Sequence, residues 1–146
     1  MSIEFWIIEG IGVDASCIYP YLNNRKVVNL ISEKFPNNKE ILKWRNRIDI
    51  NSFDVEDYLG DNLFRNLADL LTFCDDTDTL IRGEDGDGGS FFYYPPSMPW
   101  DRTKNEPVTI EEVHKRIVDA IQKVADMSRE EIESVIDDDL YVTGCG

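Results

Sequence analysis

The sequence predicts an α+β domain, a small mixed or antiparallel sheet packed with four to five helices. Three observations predict it. The apolar pattern changes period along the chain, from continuous β-branched and aromatic runs to stripes that repeat every three or four residues. These segments follow one another as strand, two or three helices, hairpin, two helices and terminal strand, which is not the regular alternation of a doubly wound sheet. At 146 residues, 42% of them hydrophobic and 11% aromatic, the chain has enough apolar material for a core without disulfide or metal staples.

Ile3 to Val13 is rich in Ile, Phe, Trp and Val and carries Gly10 and Gly12 near its end, the pattern of a strand covered on both faces and running through the sheet's interior. Val27, Leu30, Ile31 and Phe35 recur at helical spacing until Pro36 stops them. A second helix is expected over residues 37–48, with Ile41, Trp44 and Ile48 on one side. From Asp61 to Cys74 the residues Leu63, Leu67, Leu70, Leu71 and Cys74 form one stripe, the mark of a helix that packs on the core.

Residues 79–83 and 90–94 are short β-prone runs joined by Glu84-Asp-Gly-Asp-Gly-Gly, a segment of residues that accept positive φ, so a hairpin is expected. Pro95, Pro96 and Pro99 then take the chain out of the sheet. Thr109-Ile-Glu-Glu reads as a capping box with Val108 stapled to Val113, opening a helix that runs to about Asp126. Ser128-Arg-Glu-Glu repeats the device, with Met127 stapled to Ile132, for a short helix ending near Asp137. Leu140 to Thr143 is expected to return as a strand. With no internal repeat and no low-complexity linker, residues 1–146 read as a single globular domain.

Charge is the most unusual global property: 29 acidic against 15 basic residues, a formal net charge of −14. Residues 1–50 carry net +1 and residues 51–146 net −15, so the acidity belongs to the last two thirds. Such a field repels phosphate backbones, which argues against direct nucleic-acid binding except through the small basic run Lys39, Lys43, Arg45 and Arg47. A basic protein is the expected partner. The first residues have no basic leader and their apolar run is interrupted by Glu4 and Glu9, which argues against a signal peptide or a membrane span. Cys17, Cys74 and Cys145 are odd in number and widely spaced, which suits a reducing cytoplasm better than a disulfide framework.

Asp75, Asp76, Asp78, Glu84, Asp85 and Asp87 place six carboxylates within thirteen residues and raise the question of a hard cation. The spacing argues against it. A calcium loop begun at Asp76 puts Ile81 where glycine is required, one begun at Asp85 puts Ser90 there, and neither supplies the final glutamate. We therefore expect a solvated hairpin turn, no metal site and no cofactor. Asp137-Asp-Asp reads as the acidic end of the last helix, where three carboxylates oppose the dipole.

No nucleophile elbow, phosphate loop or dinucleotide fingerprint is present, and no catalytic residue is assigned. His114, the single histidine, lies in or beside a helix's apolar stripe and is expected to be packed with one backbone or carboxylate partner. Phe91-Phe-Tyr-Tyr-Pro-Pro-Ser-Met-Pro-Trp is stiff and aromatic, so Tyr93, Tyr94 and Trp100 are expected to anchor a partner, with Asp85 and Asp87 supplying charge beside them. The function these features suggest is non-catalytic binding of a basic partner, as a nucleic-acid mimic or an inhibitor of the immunity or antitoxin type. The alternatives are a small Mg²⁺- or Ca²⁺-dependent enzyme built on the acidic hairpin, and a structural subunit of an assembly.

Overall fold

The computed structural model describes residues 5–52, 64, 66–84, 89–95 and 109–145, with the backbone alone for 5–8, 51 and 142–145. Four strands, β1 (Phe5–Asp14), β2 (Ile81–Glu84), β3 (Ser90–Tyr94) and β4 (Asp137–Cys145), form one antiparallel sheet in the order β2-β3-β1-β4. Five α-helices are described: α1 (Asn24–Lys34), α2 (Lys39–Arg45), α3 (Leu67–Cys74), α4 (Ile110–Gln122) and α5 (Arg129–Val135). The α+β class, the interior position of β1 and the β2–β3 hairpin are as the sequence predicts.

One face of the sheet, with Ile11, Val13, Phe92 and Tyr94, joins the helices in the main core. Val27, Val28 and Ile31 of α1, Leu70 and Leu71 of α3, and Ile117 and Ile121 of α4 are all fully buried there. The other face is closed by curvature. In a flat sheet β2 and β4 would lie three strand spacings apart, about 14 Å, yet residues of the two strands come within 8 Å, Cα to Cα. The sheet therefore curls its edges toward one another, over a second apolar cluster of Tyr93 and Leu140 with Ile81 and Phe91 against it.

The curl requires glycine at two positions. Tyr93 pairs with Gly12, and its ring lies where a side chain on Gly10 would sit. Opposite these glycines β4 carries a bulge: Gly10 pairs with Leu140 and Gly12 with Asp137, so Ile11 alone faces both Asp138 and Asp139.

Several boundaries differ from the sequence reading, each for a local reason. Helix α2 stops at Arg45, so Ile48 belongs to the following loop and is 98% exposed. The extended residue Asn66 caps α3, its side chain accepting from the Asp69 N–H at 3.0 Å, so the helix begins at Leu67; residues 61–63 lie outside the described residues. Thr109 caps α4 by accepting from the Glu112 N–H at 3.1 Å, but the Glu112 carboxylate takes Arg116 at 3.2 Å; Val108, the expected staple, lies outside the described residues.

Helix α4 ends at Gln122, short of Asp126, because the next residues are drawn into other contacts. Lys123 Nζ donates to the Cys74 carbonyl at 2.7 Å, Ala125 bridges to Leu22, and the Asp126 N–H donates to the Tyr21 carbonyl at 2.8 Å. The capping box at Ser128 is complete in both directions. Its helix ends at Val135, so Asp137, Asp138 and Asp139 open a strand instead of closing a helix, and the expected conflict with the helix dipole does not arise.

Three aspartates sit beside cations or amides that hold their carboxyls below the usual range: Asp76 by Lys123, Asp126 by Lys26 and Asn23, and Asp49 by Arg47. A depressed folded-state pKa contributes stability that is present above the unfolded value, near pH 4, and is lost as pH falls through the folded one. The Asp126→Asn variant should therefore be less stable than wild type at pH 7, and the difference should close as the pH is lowered past that range. Urea unfolding at both pH values checks this.

Candidate acidic interaction surface

Three of the carboxylates that the sequence clusters around the hairpin, Asp75, Asp76 and Glu84, have separate tasks. Asp75, after the end of α3, is a hub. Its Oδ1 accepts from the Thr77 N–H at 3.0 Å and the Thr77 hydroxyl at 2.5 Å, and its Oδ2 from the N–H groups of Thr79 at 3.0 Å and Leu80 at 2.9 Å. These bonds turn the chain from helix into β2, with Asp78 at φ 57° on the way. Asp76 pairs with Lys123 at 2.5 Å, and Glu84 accepts from Asn66 and Arg82, both at 3.0 Å.

Among the described residues no group of three or more His, Cys, Asp or Glu is arranged to hold a metal ion. Because four donors depend on one carboxylate, Asp75→Ala should cost about 2–3 kcal/mol in unfolding free energy, while an exposed aspartate such as Asp78 should tolerate Asn. Chemical denaturation of the two variants compares them directly.

Asp85, Asp87 and Trp100 lie outside the described residues. Tyr93 and Tyr94 are 1% and 7% exposed: Tyr93 fills the curl of the sheet, and Tyr94 belongs to the main core. Burial also raises the Tyr93 phenol above its ordinary pKa. As placed, neither ring is offered to a partner. Among the described residues the exposed aromatic side chains are instead Tyr19, Tyr21, Phe35 and Tyr141. Alternation in Phe91-Phe-Tyr-Tyr shows that two faces are occupied, but the curl that buries the second face is a tertiary effect.

The structure brings together a different acidic group, at the free edge of β4. The bulge turns Asp138 and Asp139 to the helix side, where Asp138 Oδ1 meets His114 Nε2 of α4 at 2.6 Å. Of the two kinds of partner expected for His114, backbone or carboxylate, the structure has the carboxylate. Asp137 accepts from the Asp139 N–H at 2.9 Å, which holds the bulge in shape. All three aspartates are exposed. Ile110 and Glu111, one turn before His114, extend the surface along α4, and Ile110 is 57% exposed.

Antiparallel pairing has a further consequence. The end of β1 at Asp14, the end of β2 at Glu84 and the start of β4 at Asp137 all fall at one end of the sheet.

The described bases of α4, α5 and the turn between them are committed to other acids. Residues 109–145 contain ten Asp or Glu and four Lys or Arg. Lys115 pairs with Asp119, Arg116 with Glu112, Lys123 with Asp76 and Arg129 with Glu133. Among the described residues Glu111, Asp137 and Asp139 have no basic partner.

Cysteine chemistry does not reach His114 from Cys74, which is buried in α3 with its thiol pushed up to about 12 by desolvation, and so behaves as a core residue. No described helix is long and apolar enough to cross a membrane. Compared with known proteins, the chain matches no family model, no curated protein and no solved structure.

Proposed function

We propose that this protein is a non-catalytic interaction protein that binds a basic partner protein through the acidic edge of β4 and the adjoining start of α4. The observation that carries this reading is the set of carboxylates at the bulge, where Asp138 meets His114 and Asp137 and Asp139 have no basic partner among the described residues. Asp137, Asp138 and Asp139 share one exposed edge, and every lysine and arginine of residues 109–145 is paired with a different acid. Carboxylates fixed in this way create a local negative potential that steers a basic surface into contact and sets its orientation. Nucleic-acid mimicry and inhibition of a basic toxin both use this physics. Asp85, Asp87 and Trp100 remain proposed contributors.

The test is affinity capture of the tagged protein from its host's lysate at about 0.05 M and about 0.5 M salt, a range that shortens the screening length several-fold. A basic protein retained by wild type at the lower salt, and lost by Asp137→Asn/Asp138→Asn/Asp139→Asn, supports the reading. Capture unaffected by salt and by the triple substitution refutes it. A triple variant that self-associates through β4 would assign the aspartates to protecting the sheet edge instead.

A further inference from the structure

The loop after α2 is ordered by contacts from three sides. The Arg25 guanidinium donates to the carbonyls of Arg45 and Arg47, Asn24 Nδ2 donates to the Ile50 carbonyl at 2.9 Å, and the Ser52 N–H donates to the Asp49 carbonyl at 2.9 Å. Arg47 forms a two-point pair with Asp49 at 3.1 and 3.2 Å and lies over the Trp44 ring at 5.1 Å. Ile50, 1% exposed, plugs the loop into the core. Between these fixed points stands Ile48, 98% exposed. An apolar side chain on a loop that folding has already ordered loses little further entropy on binding, which is the property of an interface anchor.

Its surroundings are basic. Residues 25–47 hold seven Lys or Arg and two Asp or Glu, in a chain whose net charge is −14. Lys39 and Arg45 have no carboxylate partner among the described residues, and Lys43 has only Glu40 at 3.8 Å.

The β4 edge has the same ingredients with the opposite sign. Exposed Ile110 and Tyr141 flank Asp138, Asp139 and Glu111. We infer that the Ile48 loop docks on the acidic β4 edge of a second copy of this chain. The two surfaces belong to different elements, so the contact is head to tail, and a pair keeps one free surface of each kind, the edge on one copy and the loop on the other. Opposite charge brings the surfaces together within a screening length of about 10 Å, despite the like net charges of the two molecules. The inference shares the acidic edge with the function proposed above but needs no foreign partner. Purified protein can fail this test and still capture a basic protein, and the reverse also holds.

Sedimentation velocity of the purified chain from about 10 μM to about 1 mM tests it. The weight-average mass should rise with concentration at about 0.05 M salt and fall back at about 0.5 M. Ile48→Asp, at a site that packs on nothing, should abolish the rise. Lys43→Glu/Arg45→Glu and Glu111→Lys/Asp139→Lys should each be monomeric, with circular dichroism confirming that they fold. Mixed in equal amounts, these two variants hold one intact surface of each kind between them, and their reversed surfaces are opposite in charge as well, so the mixture should associate where neither variant alone does. A wild type that stays monomeric over the whole range, association that survives Ile48→Asp, or a mixture that remains monomeric would overturn the inference. A foreign protein bound through Ile48 while the pure chain stays monomeric would overturn it as well.

Discussion

Gly12→Ala is expected to cost about 3 kcal/mol or more in unfolding free energy, at or above the upper end of ordinary overpacking. A Cβ on Gly12 would lie 2.3 Å from both the Phe92 carbonyl oxygen and Tyr93 Cβ, and 2.6 Å from Tyr93 Cα. These are backbone atoms and the first side-chain atom of the paired strand, so no rotamer change relieves the contact. Relief requires β1 and β3 to separate, which opens the curl over Tyr93. Gly10→Ala meets the Tyr93 ring at 2.6 Å and the Tyr94 carbonyl at 2.8 Å, and should cost less because its backbone contact is single and longer than those at Gly12, although β3 must still shift to relieve it. Tyr93→Phe keeps the filled volume and should be tolerated better than Tyr93→Ala, which leaves a cavity in the second cluster. Urea unfolding of the four variants gives the order. A Gly12→Ala protein within about 0.5 kcal/mol of wild type would mean that the strands are not held this close.

Neutralising the β4 aspartates should act on association and leave folding largely intact. Asp137→Asn/Asp138→Asn/Asp139→Asn removes three charges from one exposed edge. The on-rate for a basic partner should fall roughly 10–100-fold at low salt, with a much smaller change near 0.5 M. Asparagine preserves shape and can still accept from the Asp139 backbone N–H, so the bulge should persist. Stopped-flow or surface-based kinetics across salt separates this electrostatic loss from a packing defect, which would appear mainly in the off-rate and at every ionic strength.

The legible parts of the fold were those set by local chemistry. Ser128 and Glu131 specify their capping box within four residues, and the Leu67, Leu70, Leu71 and Cys74 stripe marks the buried side of α3. What escaped a linear reading depends on partners distant in sequence. Val124 to Asp126 look like a continuing helix until Tyr21 to Asn23, far back in the chain, take their backbone groups. Asp137 to Asp139 look like a helix end until Gly10 and Gly12 of β1 supply their register.

The same distinction governs the candidate site. In the sequence Tyr93 and Tyr94 look like interface rings, because two adjacent aromatics cannot share one face of a strand. Neither their alternation nor the glycines of β1 announces that the sheet closes over the second face. The sequence leaves a backbone and a carboxylate partner equally open for His114, because 24 residues separate it from Asp138 and the bulge sets that side chain against it. Six carboxylates near the hairpin drew attention by number, whereas the hydrogen bonds of Asp75 show at least one of them engaged in forming a turn.

The most direct measurement of the central claim is the affinity of the captured basic partner for wild type and for Asp137→Asn/Asp138→Asn/Asp139→Asn, titrated from about 0.05 M to about 0.5 M salt. The account predicts a wild-type affinity that falls steeply with salt and a variant that is weaker at low salt and nearly flat, the two converging at high salt. Equal affinities with equal salt dependence would place the binding surface elsewhere and contradict it.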